Sequence, residues 1–408
     1  MNVSFEDAVA SVLGLARTPT ERIVNLPDAV GEVLFRNVVA DRNIPPFPRA
    51  AMDGFAVRWT GREDKLSYRI IGTVNPGQSW AGVAGEAECV KIMTGASVPA
   101  LFDTVIPVEQ SEACLDGLVR FVAPTSRGQH VAPEGEDARR DEVLVPRGTL
   151  LHPRHIATLA AVGKWEVSVS EKPAIAVLAT GGELREPWEE ATGPFIRNCN
   201  AHFLLSALKT SGFEQVKYLG VAPDESDVLK AKIREGLSFD YLILTGGVSA
   251  GETDLVPECL AACGVEKVLH KVSVKPGKPI FVGKTPGGGL VIGLPGNPVA
   301  VIVHYSMLIR PLLLKSMGSK EYLPKPIWLP LAGEAHNKGE QKKFSPARVE
   351  SAGGESQVVE IPFHGSGDFV AASRADGVFE IPFGIRKVPA GGRVRFYPVW
   401  GELLTSED

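Results

Sequence analysis

Five cysteines in 408 residues are too few, and odd in number, for a disulfide framework, which points to a reducing compartment. Cys259 and Cys263 stand one helical turn apart, but with no second Cys/His pair beside them they are not read as a zinc site. The eight histidines are scattered. His130, His152 and His155 show no catalytic spacing, and His304, within an apolar helical pattern, reads as a packed residue. Charge of one sign is lacking as well. A net charge of −5 gives no electrostatic reason to expect nucleic acid, while a local basic pocket for a small anion stays open. No apolar run approaches the roughly 20 residues that span a bilayer, so no membrane is expected. Met1–Leu15 contains Glu6 and Asp7 and lacks the basic start of a signal peptide. The expectation is a cytoplasmic protein.

What is present is an ordinary globular composition, 44% hydrophobic and 22% charged, with length for two to four domains. Ser4–Leu15 has helical apolar spacing with Ser4 as N-cap, and Asp28–Val33 reads as a second short helix. Ile44-Pro45-Pro46-Phe47-Pro48-Arg49 can be neither regular helix nor central strand and reads as a rigid linker. Between Met52 and Leu144, short alternating runs separated by Gly and Pro predict a small β-rich domain. Leu151–Val162 returns to helical spacing and is expected to pack on the N-terminal helices, making the β-rich domain an insertion.

From Lys172 onward the period changes. Ala174–Ala179 is a continuous apolar run, the mark of a strand buried on both faces. Helix Asn200–Ser211, strand Val216–Val221, helix Glu225–Glu235 and strand Tyr241–Leu244 follow, so strands alternate with helices and predict a parallel sheet with right-handed crossovers. Pro298–Leu314 is a long helix with Asn297 at its cap and Pro298 in its first turn. After a linker at Gly318–Pro326, the tail is again β-like.

Three strand ends of the predicted sheet run into glycine-rich loops: Gly181-Gly182-Glu183, Gly246-Gly247-Val248-Ser249 and Gly293-Leu294-Pro295-Gly296-Asn297. In open α/β sheets ligands bind at such ends, and glycines free backbone N–H groups for anions. None of the loops fits a Walker or dinucleotide fingerprint, which disfavours ordinary NTPases and dehydrogenases. Lys275 and Lys278 flank a Pro-Gly bend that could aim two ammonium groups at one anion. The acids Asp53, Glu183, Asp224, Glu252 and Asp254, beside those lysines and glycines, suit Mg²⁺-assisted phosphoryl or oxyanion chemistry. Asp224 serves equally well as an N-cap for the helix after it.

Taken in order, these stretches resemble the molybdopterin molybdenumtransferase family (MoeA in bacteria, the gephyrin E domain in animals). The resemblance rests on Pro45-Pro46-Phe47 with Ala51–Ala56, Met93-Thr94-Gly95-Ala96, Gly135-Glu136-Asp137, Thr180-Gly181 with Glu183-Leu184, Gly246–Ser249, Lys275–Pro279 and Gly293–Pro298. It covers nearly the whole chain. Ordered motifs are far more specific than any one of them.

The resemblance implies a multidomain α/β and β fold. A three-layer α/β molybdopterin-binding domain (171–317) is joined by a helical domain (1–45 plus 143–170), an inserted β-rich domain (46–142) and a C-terminal β-barrel-like domain (318–408). It implies a homodimeric enzyme that takes adenylylated molybdopterin and molybdate with Mg²⁺, inserts the metal and releases AMP. Molybdopterin adenylyltransferase and molybdoenzymes are the implied upstream and downstream partners. By motif, Glu183, Asp224 and Asp254 look like the acids of the α/β side, with Asp224 and Asp254 handling the metal. Lys275 and Lys278 look like the oxyanion- and phosphate-binding pair. Gly246, Gly247, Ser249, Pro295, Gly296, Asn297 and Pro298 look like pocket wall, and Asp53, Thr94 and Asp137 like the partner subunit's contribution. The sequence departs from the family pattern at Gly182 and Asn198, each standing where the family has Asp, and at Ala50, where it has Ser. The alternative expectation is therefore a catalytically altered paralogue, acting as a molybdopterin carrier or preferring tungstate.

Overall fold

A computed structural model describes residues 3–62, 67–113, 115–123, 126–248, 255–365 and 367–399. The chain divides into two compact units: Met1–Phe35, Arg147–His152 and Val167–Asp408 form the larger, and Arg36–Pro146 with Pro153–Glu166 the smaller.

The larger unit is built on a six-stranded sheet in the order Val216–Ala222, Ile175–Thr180, Tyr241–Thr245, Leu290–Leu294, Phe281–Lys284, Glu266–His270. Alternation along the strands explains its two cores. Ile175, Val177, Tyr241, Ile243 and Ile292 pack to one side, with Leu204 and Leu208 of the helix Asn200–Thr210 and with the helix Phe5–Leu13. Ala176, Leu178, Leu242, Leu244 and Val291 pack to the other, against Leu229 and Ile233 of the helix Ser226–Gly236 and against Val256 and Leu260. This is the expected three-layer α/β arrangement. Cys259 sits in the second of these cores as a free thiol.

The sheet is mixed rather than wholly parallel. Its first four strands run parallel, whereas Phe281–Lys284 is antiparallel to both its neighbours. Only residues 285–289 connect it to Leu290–Leu294. That is enough for a hairpin and too short for a crossover of a dozen or more residues.

The helix Pro298–Ser316 is by length and composition alone apolar enough to cross a bilayer, but most of it is buried in the fold as a core helix. Asp28–Val33 is not helical: a 3₁₀ turn at Leu26–Ala29 ends before Gly31, whose φ is +80°. Pro27 opens that turn, and the left-handed glycine stops it.

The C-terminal β region also belongs to the larger unit. Its sheet runs Val3–Ser4, Val272–Lys275, Lys342–Ala352, Gly377–Ile381, Arg393–Pro398, Ile327–Pro330. A buried carboxylate anchors it: Glu380, 3% exposed, takes Lys342 at 3.2 Å, Arg395 at 3.0 Å and the hydroxyl of Tyr397 at 3.1 Å. Lys342 also pairs with Glu6, which ties the N-terminal helix to this sheet. Burying a carboxylate is costly unless it is paired and hydrogen-bonded in this way.

The smaller unit holds a six-stranded sheet, Thr104–Pro107, Gly54–Val57, Glu88–Ile92, Ser67–Val74, Leu118–Phe121, Ser111–Ala113. The helix Pro153–Ala161 groups with this unit and meets the strand Val143–Val145. The division by contacts places that helix and the Phe5–Leu13 helix in different units.

Candidate functional site

Three strands of the α/β sheet, Ile175–Thr180, Tyr241–Thr245 and Leu290–Leu294, end side by side in parallel register, which gathers their loops. Gly246 cannot be replaced there: its φ is +94°, and a Cβ would stand 2.2 Å from the carbonyl oxygen of Thr180. The loops enclose a cavity of about 910 Å³. Thr180, Glu183, Gly246, Gly296, Asn297 and Pro298 line it, together with Phe195, Arg197, Asn198, Cys199, Asn200 and His202. Gly247 and Pro295 lie in the same loops without lining it. Its size suits a ligand of cofactor dimensions. Ser249, Glu252 and Asp254 fall outside the described residues.

Side-chain bonds to the backbone hold the loops in place. Asn200 Nδ2 donates to the carbonyl of Gly296 at 2.7 Å, joining the start of its helix to the Gly293–Pro298 loop. Arg185 donates to the carbonyls of Leu184 at 2.8 Å and Gly182 at 3.3 Å, and its guanidinium lies 3.6 Å from the centroid of the Phe195 ring. Asp224 does not cap the helix after it. Its Oδ2 accepts the N–H of Gly182 at 2.9 Å, and the helix has Glu225 at its N-cap with no side-chain bond. Glu183 and Asp224 are both exposed. A Cβ placed on Gly181 would meet Glu183 Oε2 at 2.6 Å, and one on Gly182 would meet Asp224 Oδ2 at 3.5 Å. Two hard oxygen donors therefore border adjacent glycines, a donor set that Mg²⁺ accepts when substrate oxygens and water complete its shell. Among the described residues no group of three His, Cys, Asp or Glu side chains gathers as a ready-made metal site.

Behind His202 lies a network that sequence spacing does not announce. Glu186, 8% exposed, accepts the Tyr218 hydroxyl at 2.5 Å and faces His202 Nε2 at 2.9 Å. Asn198 Nδ2 donates to the Tyr218 oxygen at 2.7 Å. Burial first, and then the bond to Glu186, push the Tyr218 phenol well above its ordinary range.

Lys275 lies elsewhere. Its strand, Val272–Lys275, pairs in parallel with the C-terminal strand Lys342–Ala352, with Lys275 opposite Lys343. It lines a second cavity, of about 670 Å³, with Glu334, His336, Lys338, Lys343 and Glu360. Lys343 is held by the carbonyl of His336 at 2.9 Å and by Glu360 at 3.1 Å. Glu334 pairs with His336 and Lys387. Lys275 and Lys338 have no carboxylate partner among the described residues, which leaves their charge to the cavity. Lys278 lines neither cavity. The turn between the two lysines is set from below: His304 Nε2 donates to the carbonyl of Gly277 at 2.7 Å. Gly277 has φ +102°, and a Cβ there would meet that ring nitrogen at 2.4 Å. Burial holds the His304 imidazole down to about 4, so the ring is neutral.

In the smaller unit, Asp53 Oδ1 accepts both the N–H of Thr94, at 2.6 Å, and its hydroxyl, at 2.7 Å. These two bonds, the backbone one first, hold the Asp53 carboxyl below its usual range. The Asp137 and Ala138 N–H groups both donate to the carbonyl of Ile44, at 2.8 and 3.1 Å, fixing the exposed Asp137 turn to the proline-rich linker.

Comparison with known proteins matches three successive stretches of the chain. Residues 3–163 match the MoeA N-terminal region (domain I and II), 176–315 a probable molybdopterin binding domain and 329–399 the MoeA C-terminal region (domain IV). A molybdopterin molybdenumtransferase from Synechocystis sp. is 30% identical over 383 residues, 92% of this chain and 94% of that protein. Its Bacillus subtilis counterpart is 31% identical over 320 residues, 76% of this chain and 74% of that protein. The solved molybdopterin biosynthesis moeA protein from Pyrococcus horikoshii OT3 superposes with a TM-score of 0.82 at 25% identity, covering 97% of this chain and all of that one.

Proposed function

This chain belongs to the MoeA family of molybdopterin molybdenumtransferases, enzymes that insert molybdenum in cofactor biosynthesis, and on that footing we propose how its residues share the work. The 910 Å³ cavity at the strand ends takes the pterin of adenylylated molybdopterin. The observation that carries this is the gathering of Thr180, Glu183, Gly246 and Gly296 around one opening. Molybdate is the second substrate, and Lys275 with Lys338 supplies the positive charge that attracts it. Glu183 and Asp224 are the carboxylates that would hold Mg²⁺ against substrate oxygens, with Asp254 the third candidate. The cation would neutralise charge on the phosphate linkage whose cleavage releases AMP.

Asp53, Thr94 and Asp137 complete the proposal as substrate-handling residues of the β-rich unit, acting in a cytoplasmic homodimer of this chain. Size-exclusion chromatography with light scattering tests the dimer. The activity is tested by incubating the pure protein with adenylylated molybdopterin, Mg²⁺ and molybdate and following AMP. Release of AMP together with metal-loaded cofactor supports the reading. Bound ligand without AMP would replace it with the carrier reading, and faster turnover on tungstate than on molybdate with the tungstate-preferring one.

A further inference from the structure

We infer that His202 is a specificity-determining residue of the strand-end cavity, whose Nδ1 accepts a hydrogen bond from an N–H group on the edge of the pterin. The inference rests on the reading of that cavity as the pterin site. His202 lines the cavity while its Nε2 faces the buried Glu186 at 2.9 Å. Both oxygens of Glu186 act as acceptors, one from Tyr218 and one from His202. With Glu186 as the acceptor, His202 Nε2 carries the hydrogen of this contact. In the Nε2–H tautomer Nδ1 keeps a lone pair and has, among the described residues, no partner.

The network behind the ring converges on Glu186. Tyr218 has one hydroxyl hydrogen and gives it to Glu186, which leaves its oxygen free to accept from a donor at position 198. Asn198 does so through Nδ2, while its Oδ1 accepts the N–H of Ala201 at 3.3 Å. An Asp at 198 would present only lone pairs to that oxygen. This gives a physical reason for the amide at position 198, where the resemblance leads one to expect an acid. A carboxylate buried behind a ring is the arrangement that orients an imidazole toward a ligand. A pterin offers ring N–H and amino groups on its edge, which are the complement of a lone-pair acceptor.

The test compares His202→Ala, His202→Gln and His202→Asn by isothermal titration with adenylylated molybdopterin and, separately, with AMP. Gln can place its amide nitrogen where Nε2 lies and so keep the bond to Glu186, but it leaves nothing at the Nδ1 position. Asn places a carbonyl oxygen near that position. The inference expects His202→Ala and His202→Gln each to weaken the full ligand by about ten-fold, His202→Asn to recover most of the loss, and AMP binding to be unchanged in all three. Melting temperatures of the Gln variant close to wild type show that the fold is intact. A Gln variant that binds like wild type would mean that His202 only props up Glu186, and would overturn the inference. Equal losses for AMP and for the full ligand would assign the nitrogen to the nucleotide and overturn it as well. Absence of binding by the wild type would remove the reading of the cavity and the inference together.

Discussion

Asp224 accepts the backbone N–H of Gly182 at 2.9 Å, which ties the loop after the strand Ile175–Thr180 to the loop after Val216–Ala222. Position 182 nevertheless has room for a side chain. It is exposed, and the nearest atom to a Cβ there is Asp224 Oδ2 at 3.5 Å, an ordinary contact. Gly182→Asp is therefore expected to fold, with like-charge crowding at this exposed site costing no more than about 1 kcal/mol. A third carboxylate beside Glu183 and Asp224 should lower the Mg²⁺ concentration needed for half-maximal AMP release several-fold. Turnover measured against Mg²⁺ checks this, and superimposable curves would show that the missing acid has no bearing on the cation.

Asp224 has two separable jobs, and two substitutions separate them. Asp224→Asn keeps an oxygen for the Gly182 N–H but loses the charge, so it should retain wild-type thermal stability and require more Mg²⁺. Asp224→Ala loses both and should also lower stability by about 1 kcal/mol, the net value of an ordinary hydrogen bond. Equal Mg²⁺ requirements for wild type and the Asn variant would remove Asp224 from cation binding.

Lys275→Ala should weaken molybdate binding by about 10- to 100-fold, the value of one charge-assisted contact of ~1.5–3 kcal/mol. Lys338→Ala should act in the same direction. Lys343→Ala should instead act mainly on stability, because that ammonium is already held by Glu360 and the His336 carbonyl. Calorimetric titration with molybdate reads the first two and thermal melting the third. Unchanged affinity in Lys275→Ala would take that lysine out of oxyanion binding.

Much of this was legible in the sequence. Ile175–Ala179 of the first apolar run, and Tyr241–Leu244, lie in buried strands, and the loops after them do share a cavity. What escaped depends on partners far apart in the chain. Lys275 reads as a neighbour of the Gly246 loop until it is seen opposite Lys343 across a parallel pair, a register that no local pattern encodes. Asn198 and His202 stand at the start of one helix, but Glu186 and Tyr218 come from other segments and meet them only in the fold. The antiparallel turn of the sheet was readable in principle from the five residues 285–289, too few for a crossover.

Thr94 should control the ionisation of Asp53. Its hydroxyl and its N–H converge on Asp53 Oδ1. A carboxyl lowered in the folded state adds stability above its ordinary pKa, and loses that contribution as pH falls through the folded value. Thr94→Val removes the hydroxyl bond and keeps the backbone one, so the Asp53 carboxyl should titrate closer to its usual range while staying below it. Thr94→Ser should leave it where it is. Carbon-detected NMR titration of Asp53 decides between these outcomes, and identical titrations for all three proteins would assign the whole shift to the backbone.

His304 should make the protein acid-sensitive in a defined window. The ring is wholly buried, and burial lowers it from 6.5 to about 4. Between those values the unfolded chain takes up a proton that the folded chain refuses, so stability falls as the pH drops from about 6.5 toward about 4 and is fully present above. The gap corresponds to about 3 kcal/mol. His304→Gln offers an amide that can still donate to the Gly277 carbonyl, and it cannot titrate. It should cost stability at neutral pH through imperfect packing, yet lose much of the slope below about pH 6.5. Urea denaturation of both proteins from about pH 7.5 down to about pH 4.5 makes the comparison. Parallel curves would show that another buried group sets the acid limit, whereas convergence at low pH identifies the histidine beneath the Lys275–Lys278 turn.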